Sequence, residues 1–133
     1  MKVIDVYNET KVKYPKYVIM IKIGVFYEAY NEDAYVIHNI MDYKVKEMKN
    51  NKSLGFPVSS YNKVIIGLDR AKVNYIVIDK EIVKKRFNKN NYSKYSYYDY
   101  TLEDRVDRIY KELLKRSNES SFKYLLDRIK ELL

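Results

Sequence analysis

A run of basic and aromatic side chains gives this sequence its clearest chemical character. Residues 84–95 hold five positive charges, three aromatic rings and no acidic side chain. Lys84, Lys85, Arg86 and Lys89 suit contacts with phosphate, and aromatic rings can stack on bases or sugars. The alternative is a solvated, partly mobile loop, because a basic surface also serves solubility and steering. We interpret the segment as a candidate nucleic-acid contact and keep the solvated loop as the alternative.

A second group of residues could support metal-dependent hydrolysis. Asp42, Glu47 and Lys49 have the order of two carboxylates and a lysine that could hold magnesium and assist an attacking water. On a strand, Glu47 and Lys49 would share one face. Such spacing is common in lysine-rich sequences, so surface charge is the favoured interpretation. A metal-dependent nuclease is therefore the least favoured function.

Other residue types used in catalysis are scarce. The chain has no cysteine and one histidine, His38, so a thiolate metal site, a disulfide framework and a Ser-His-Asp or Cys-His set cannot be assembled. His38 falls in the middle of a helical pattern, which favours a partly buried packing role. We expect a protein that is not an enzyme and that needs no cofactor or metal.

Length and charge predict a single basic domain. A chain of 133 residues with 47% hydrophobic side chains can bury one core. Most of the net charge of +8 arises before residue 101, where 18 basic side chains face 11 acidic ones. No apolar run approaches the roughly 18 to 20 residues of a membrane span, and the N-terminus lacks the apolar region of a secretory signal. We expect a cytoplasmic protein without a membrane partner.

Hydrophobic periodicity predicts strands that alternate with helices, which is typical of a mixed, mostly parallel sheet with helical cover. The predicted elements are a buried strand at 18–23, a helix at 31–42 capped by Asn31, a loose strand at 43–48, a loop at 50–53, a helix opening at Ser59 or Ser60, a buried strand at 75–78 and a strand from Ile82.

The last third of the chain predicts two amphipathic helices. Thr101 and Asp104 resemble a capping box, and apolar residues follow at helical spacing up to Leu114. A second apolar stripe runs from Phe122 to Leu133. We expect residues 101–133 to form a helical extension that packs on the sheet or on itself, and self-association is the alternative.

An ordered series of residues between 14 and 80 carries a family resemblance. Its parts are Pro15, the apolar run Val18 to Ile23, Gly24, Phe26-Tyr27-Glu28, the acidic helix start Glu32-Asp33-Ala34, the turn Gly55-Phe56-Pro57, a helical segment from Tyr61 to Lys72 and the strand Tyr75 to Asp79. The series resembles the first part of the mismatch-recognition domain of the MutS family of DNA mismatch-repair proteins. Ordered spacing of this kind is harder to obtain by chance than one motif.

The resemblance implies roles for two residues. In the MutS family the phenylalanine of this motif is a wedge that enters the minor groove and stacks on an unpaired base, and the glutamate hydrogen-bonds to that base. Carried over by motif, Phe26 is the wedge and Glu28 is the base reader. Tyr27 would face the protein interior if the segment is extended, because alternate residues of a strand face opposite sides.

Three features depart from the family pattern. Val25 stands where the family has an aspartate. The residues before Pro15 include Val3, Ile4, Val6 and Val12, and this composition predicts a strand where the family has a helix. The sequence also has no phosphate-binding Gly-x-x-x-x-Gly-Lys-Ser/Thr motif.

These observations predict a MutS domain I-like α/β domain at residues 1–100, followed by the helical extension at 101–133. The predicted function is non-enzymatic binding of mismatched or distorted duplex DNA by wedge insertion. The alternative is a protein-interaction module that kept the fold without DNA recognition. We expect duplex DNA as the partner, with a homodimer through the C-terminal helices as a second possibility.

Overall fold

A computed structural model describes residues 2–98, 101–116, 127–128 and 130–132. The chain divides into two compact units, residues 1–97 and 98–133, which are described separately. None of the helices in these described ranges combines the length and the apolar character that crossing a membrane requires.

The first unit alternates helices with short strands. In chain order its elements are α1 (Val3–Lys13), β1 (Val18–Ile23), β2 (Phe26–Tyr30), α2 (Asn31–Met41), β3 (Lys46–Glu47), β4 (Lys52–Pro57), a 3₁₀ turn (Val58–Ser60), α3 (Tyr61–Ala71), β5 (Tyr75–Ile78), β6 (Ile82–Lys85) and α4 (Tyr92–Tyr95).

The strands form one mixed sheet in the order β3-β4-β2-β1-β5-β6. Within the described residues only β1 and β5 pair in parallel, and the other four pairings are antiparallel. The mixed α/β sheet with helical cover is confirmed, but the expectation that parallel pairs predominate is corrected. The reason is that short turns join β1 to β2 and β5 to β6, and such turns can connect only antiparallel neighbours.

The turn between β1 and β2 depends on a glycine. Ile23 and Phe26 are paired in register, so Gly24 and Val25 form a two-residue hairpin loop. Gly24 has a φ of +61°, a conformation that costs glycine little and other residues more. A glycine at the first loop position is typical of the tight turns that match the twist of antiparallel strands.

The two faces of the sheet are covered by different helices. On one face, Tyr7 of α1 packs with Ile19, Ile21, Tyr30 and Ile76 in a buried cluster. This face is called the α1 face below. Its residues alternate along each strand with those that face the other helices, as the pleat of a sheet requires.

The opposite face carries α3, with α2 beside it. Val64 and Leu68 of α3 are fully buried, and the Tyr61 ring at the start of α3 stacks on Tyr27 of β2 with the ring centroids 4.9 Å apart. The buried strand predicted at 75–78 and the helix predicted after Ser60 are confirmed.

Three local expectations were wrong. The segment before Pro15 is the helix α1 and not a strand, because Ile4 and Tyr7 on one side of it pack against the sheet and this packing outweighs β-branched propensity. Asn31 does not cap α2, since its φ is +51° and its side-chain Oδ1 accepts a hydrogen bond from the Lys52 backbone N at 3.1 Å. Lys52 and Ser53 belong to β4 and not to a loop.

The second unit contains α5 (Leu102–Arg116). The predicted capping box is confirmed for the bond from the Asp104 backbone N, which donates to Thr101 Oγ1 at 3.0 Å. The second amphipathic stretch, from Phe122 to Leu133, lies largely outside the described residues.

Candidate nucleic-acid interface

The β1–β2 turn presents Phe26 to solvent. Phe26 is the first residue of β2, and 49% of it is exposed, whereas only 7% of the next residue, Tyr27, is exposed. The two side chains leave opposite faces of the strand. The prediction that Tyr27 faces the interior is therefore confirmed.

Tyr27 fixes the strand that carries Phe26. Its ring stacks between Phe56, at 5.6 Å, and Tyr61, at 4.9 Å between centroids. Stacked aromatic pairs contribute about 0.5–1.5 kcal/mol each beyond the area they bury. Phe26 is thus an exposed ring on a backbone that is held from the other side of the sheet.

Glu28 lies on the α1 face together with Phe26. Its Oε2 accepts a hydrogen bond from the Tyr30 hydroxyl at 2.7 Å. Across the antiparallel pair stands Gly55, so Glu28 has no side chain directly opposite it on β4. Glu28 is half-buried, which leaves its carboxylate capacity for a further donor.

Apolar side chains surround the turn. We use the name hairpin tip for Ile23, Val25, Phe26 and Val58, whose exposed fractions are 36%, 66%, 49% and 40%. The Val58 backbone N donates to the Val25 carbonyl at 3.0 Å, which ties the 3₁₀ turn to the hairpin. The hairpin tip is therefore an exposed apolar projection with a braced backbone.

The four basic candidate residues do not share one face. Lys84 pairs in register with Ile76, which belongs to the α1 face, and so lies on the same face as Phe26 and Glu28. Lys85 pairs with Tyr75 and faces the opposite side.

The surroundings of the four basic residues differ as well. The Lys84 ammonium lies 4.8 Å from the centroid of the Tyr14 ring, and the Lys85 ammonium lies 5.5 Å from that of Phe87. Arg86 and Lys89 are exposed in the segment after β6.

A buried carboxylate holds this basic segment to the rest of the unit. Asp33 is fully buried and accepts hydrogen bonds from the Tyr7 hydroxyl, the Tyr92 hydroxyl at 2.6 Å, Lys11 Nζ at 2.5 Å and the Ile19 backbone N at 3.2 Å. We call these groups the Asp33 network. Burial raises the pKa of Asp33, and the Lys11 charge and the hydrogen bonds oppose that rise.

Sequence reasoning did not find the Asp33 network. Asp33 stands in the first turn of α2, where the sequence alone predicts only that an acid favours the helix dipole. Its tyrosine partners are 26 and 59 positions away in the chain. No local pattern signals such a contact.

Two asparagines also order the segment that follows β6. Asn74 Oδ1 accepts a hydrogen bond from the Phe87 backbone N at 2.7 Å, and Asn90 Nδ2 donates to the Lys16 carbonyl at 2.7 Å. The basic and aromatic residues after β6 are thus tied to the starts of β5 and β1.

The residues considered for metal-dependent hydrolysis make other contacts in the structure. Asp42 ends α2 with a φ of +61°, and Glu47 forms an ion pair with Lys52 at 2.8 Å. In the described part of the chain no group of three or more His, Cys, Asp or Glu residues could hold a metal ion. His38 Nδ1 lies 2.6 Å from the Tyr43 carbonyl, which joins the end of α2 to the chain that follows it.

The part of the chain that holds this arrangement matches a known protein family. The family model of MutS domain I matches residues 2–89, more than half of the chain. The match begins at α1 and takes in Phe26, Glu28 and the basic residues up to Lys89. The search of curated proteins finds no match.

Proposed function

Since the chain belongs to the MutS domain I family and is a mismatch-recognition-type module, we propose that it binds mismatched or distorted duplex DNA by inserting an aromatic wedge. Phe26 is the wedge, and Glu28 accepts a hydrogen bond from the base beside it. The observation that carries the proposal is the placement of a half-exposed Phe26 on a braced turn, with Glu28 on the same face.

The energetics of wedge insertion favour damaged or mismatched sites. Inserting an apolar side chain between bases costs a few kcal/mol of unstacking, and this cost is smallest where pairing is already weak. Selectivity then arises from the deformability of the DNA more than from reading base edges. The hairpin tip suits this mechanism because Phe26 projects from a backbone that is braced by the hydrogen bond between Val58 and Val25.

Basic side chains supply the part of the binding that does not depend on sequence. Lys84 lies on the face of the wedge, and Lys85, Arg86 and Lys89 extend the positive charge around the edge of the sheet. Contacts with phosphate add affinity for every duplex and make binding sensitive to salt. We propose that the module acts by binding and not by catalysis.

The test is Phe26→Ala, with binding measured on matched and mismatched duplexes of otherwise identical sequence. Loss of base stacking should reduce the preference for the mismatch by roughly fivefold or more, because such stacking is worth about 1–3 kcal/mol. Val25→Ala is the matched control, since Val25 is more exposed than Phe26 and flanks it in the hairpin tip. We expect Val25→Ala to keep most of the preference.

Other outcomes would contradict the proposal in distinct ways. Equal loss of affinity for both duplexes in Phe26→Ala would indicate a folding role. An unchanged preference would exclude Phe26 as the wedge. No binding of any duplex at low salt by the unmodified protein would remove DNA as the partner and favour a protein-interaction module.

A further inference from the structure

A groove lies on the α1 face between the end of α1 and the outer strands of the sheet. Its volume is about 270 Å³. The floor is Ile76, Ile78 and Ile82, and the walls include Lys13 and Tyr14 on one side and Lys84 on the other. We call it the α1–β6 groove.

Strand register connects this groove to the wedge. Glu28 pairs with Ile21, Ile21 with Ile78, and Ile78 with Ile82. These four residues therefore form one row across the sheet on the α1 face. The row runs from β2 to β6, three strand spacings of about 4.8 Å, or roughly 14 Å. Each strand of B-DNA carries a phosphate about every 3.4 Å along the axis, so roughly 14 Å corresponds to about four base pairs. A duplex that holds its distorted site at Phe26 and runs toward β6 therefore reaches the α1–β6 groove.

The groove has the charge that this position requires. The Lys84 ammonium lies over the Tyr14 ring at 4.8 Å and near the Tyr17 ring at 5.9 Å from the centroids. A cation held over aromatic faces loses less freedom when it meets an anion. Lys13 is exposed on the opposite wall.

The apolar surface of the groove is open to a ligand. Ile82 is 70% exposed, although it lies in a strand. Tyr14 packs edge-on against Tyr17, with the ring centroids 5.2 Å apart. An aromatic ring and exposed aliphatic carbons beside two cations match a sugar with its phosphates, because deoxyribose presents C–H groups and the phosphates are charged.

We propose that the α1–β6 groove binds the sugar–phosphate backbone of the duplex whose distorted site is held by Phe26. Lys13 and Lys84 contact phosphates, and Tyr14 and Ile82 contact the deoxyribose between them. The inference rests on the proposed function, and it adds Lys13, Tyr14 and Ile82 to the DNA-contacting surface. An acidic peptide is the other occupant with matching charge. DNA is favoured because the groove opens on the same face of the sheet as Phe26 and Glu28, on the other side of the buried Ile21.

The test measures the salt dependence of binding for the double variant Lys13→Gln/Lys84→Gln on matched and mismatched duplexes. Removing two phosphate contacts should lower the slope of log affinity against log salt by about two and weaken binding to both duplexes. The preference for the mismatch should persist, because Phe26 is intact. Lys63→Gln is the matched control. Lys63 is exposed on α3, on the opposite face, and its replacement should leave the slope nearly unchanged.

Two further variants separate the groove from general charge. Ile82→Glu adds an acid at an exposed position and should weaken binding to all duplexes without unfolding the protein. Glu9→Gln removes an acid that also lines the groove and should strengthen binding. Equal slopes for the double variant and for Lys63→Gln would overturn the groove while leaving the wedge intact.

The remaining outcomes concern the identity of the ligand. Absence of any DNA binding by the unmodified protein would overturn the wedge and the groove together. Binding of polyglutamate to the unmodified protein that is lost in the double variant, while that variant binds the duplex with an unchanged salt slope, would show that the groove takes acidic peptide and would overturn the assignment to DNA.

Discussion

Asp33 and Glu28 are carboxylates five positions apart that differ in burial and in the number of hydrogen bonds they accept. Asp33 is fully buried and receives hydrogen bonds from four donors. Glu28 is half-buried, and in the described part of the chain it receives one hydrogen bond, from Tyr30. A carboxylate whose lone pairs are all used maintains the fold, whereas one with unused capacity can receive a ligand. The contrast separates residues that maintain the fold, such as the Asp33 network, from the surface that carries Phe26 and Glu28, and the predictions below test this division.

The largest effect is expected from Asp33→Asn. The substitution leaves Lys11 without its ionic partner and places an amide among hydroxyl donors, and breaking a buried ion pair costs about 3–5 kcal/mol. Denaturant unfolding measures the change. Tyr92→Phe removes one donor only and should cost about 1 kcal/mol. Equal losses in the two variants would show that Asp33 is not the centre of the network.

The second prediction concerns alkaline pH. Burial, followed by the nearby Asp33 charge, raises the pKa of both Tyr7 and Tyr92 far above the usual value of about 10. Above pH 10 the unfolded chain releases these protons and the folded chain keeps them. The stabilisation is therefore complete below pH 10 and is lost as pH rises toward the folded pKa values.

The free energy of unfolding should fall by about 1.4 kcal/mol for each protected tyrosine per pH unit above 10, or by roughly 3 kcal/mol for both over the first unit. Denaturant unfolding at several pH values measures this loss, and tyrosinate absorbance reports the ionisation. Tyr92→Phe should reduce the pH slope by about half of this amount. If Tyr92→Phe leaves the slope of the unfolding free energy against pH unchanged, Tyr92 is not one of the titrating groups.

The third prediction compares neighbours on β2. Tyr27→Ala removes a buried ring that stacks on Phe56 and Tyr61 and should cost about 3 kcal/mol of stability. Phe26→Ala should cost about 1 kcal/mol or less, because half of Phe26 is exposed. Thermal or denaturant unfolding of both variants tests the difference. Similar losses would mean that Phe26 is a packing residue and not a free wedge.

The smallest effect is expected from truncation after Tyr100. Every buried residue in the described ranges lies between Tyr7 and Tyr92, so the first unit should keep a cooperative transition with little change in Tm. Calorimetry and light scattering of the truncated and full chains provide the measurement. A large drop in Tm would show that residues 101–133 complete the core. A change from dimer to monomer would identify them as an association device.

Local patterns identified much of the fold correctly. The apolar runs at Val18–Ile23 and Tyr75–Ile78 are bounded by proline, glycine or polar residues, and each forms a buried strand. The exposed and buried alternation of Phe26 and Tyr27 also follows from the period of a strand. In these segments propensity, periodicity and tertiary packing agree.

The wrong expectation of mostly parallel pairs came from overlooking the short turns after β1 and β5, whereas the other failures have tertiary contact as their cause. The valines of α1 favour a strand until the packing of Ile4 and Tyr7 on the sheet is considered. In the Asp33 network, Asp33 and Tyr92 are 59 positions apart in the chain. Long-range contacts of this kind decide buried polar partners, and a single sequence does not display them.

The outer edge of β6 has a consequence for solubility. Ile82 and Val83 are 70% and 47% exposed in a strand at the end of the sheet, where unpaired backbone groups invite a strand from another molecule. Lys84, Lys85 and Arg86 follow directly, and their repulsion between copies opposes such stacking. The positive charge at this edge therefore acts as a gatekeeper against fibre formation. Neutralising all three residues should lower the concentration at which the protein self-assembles.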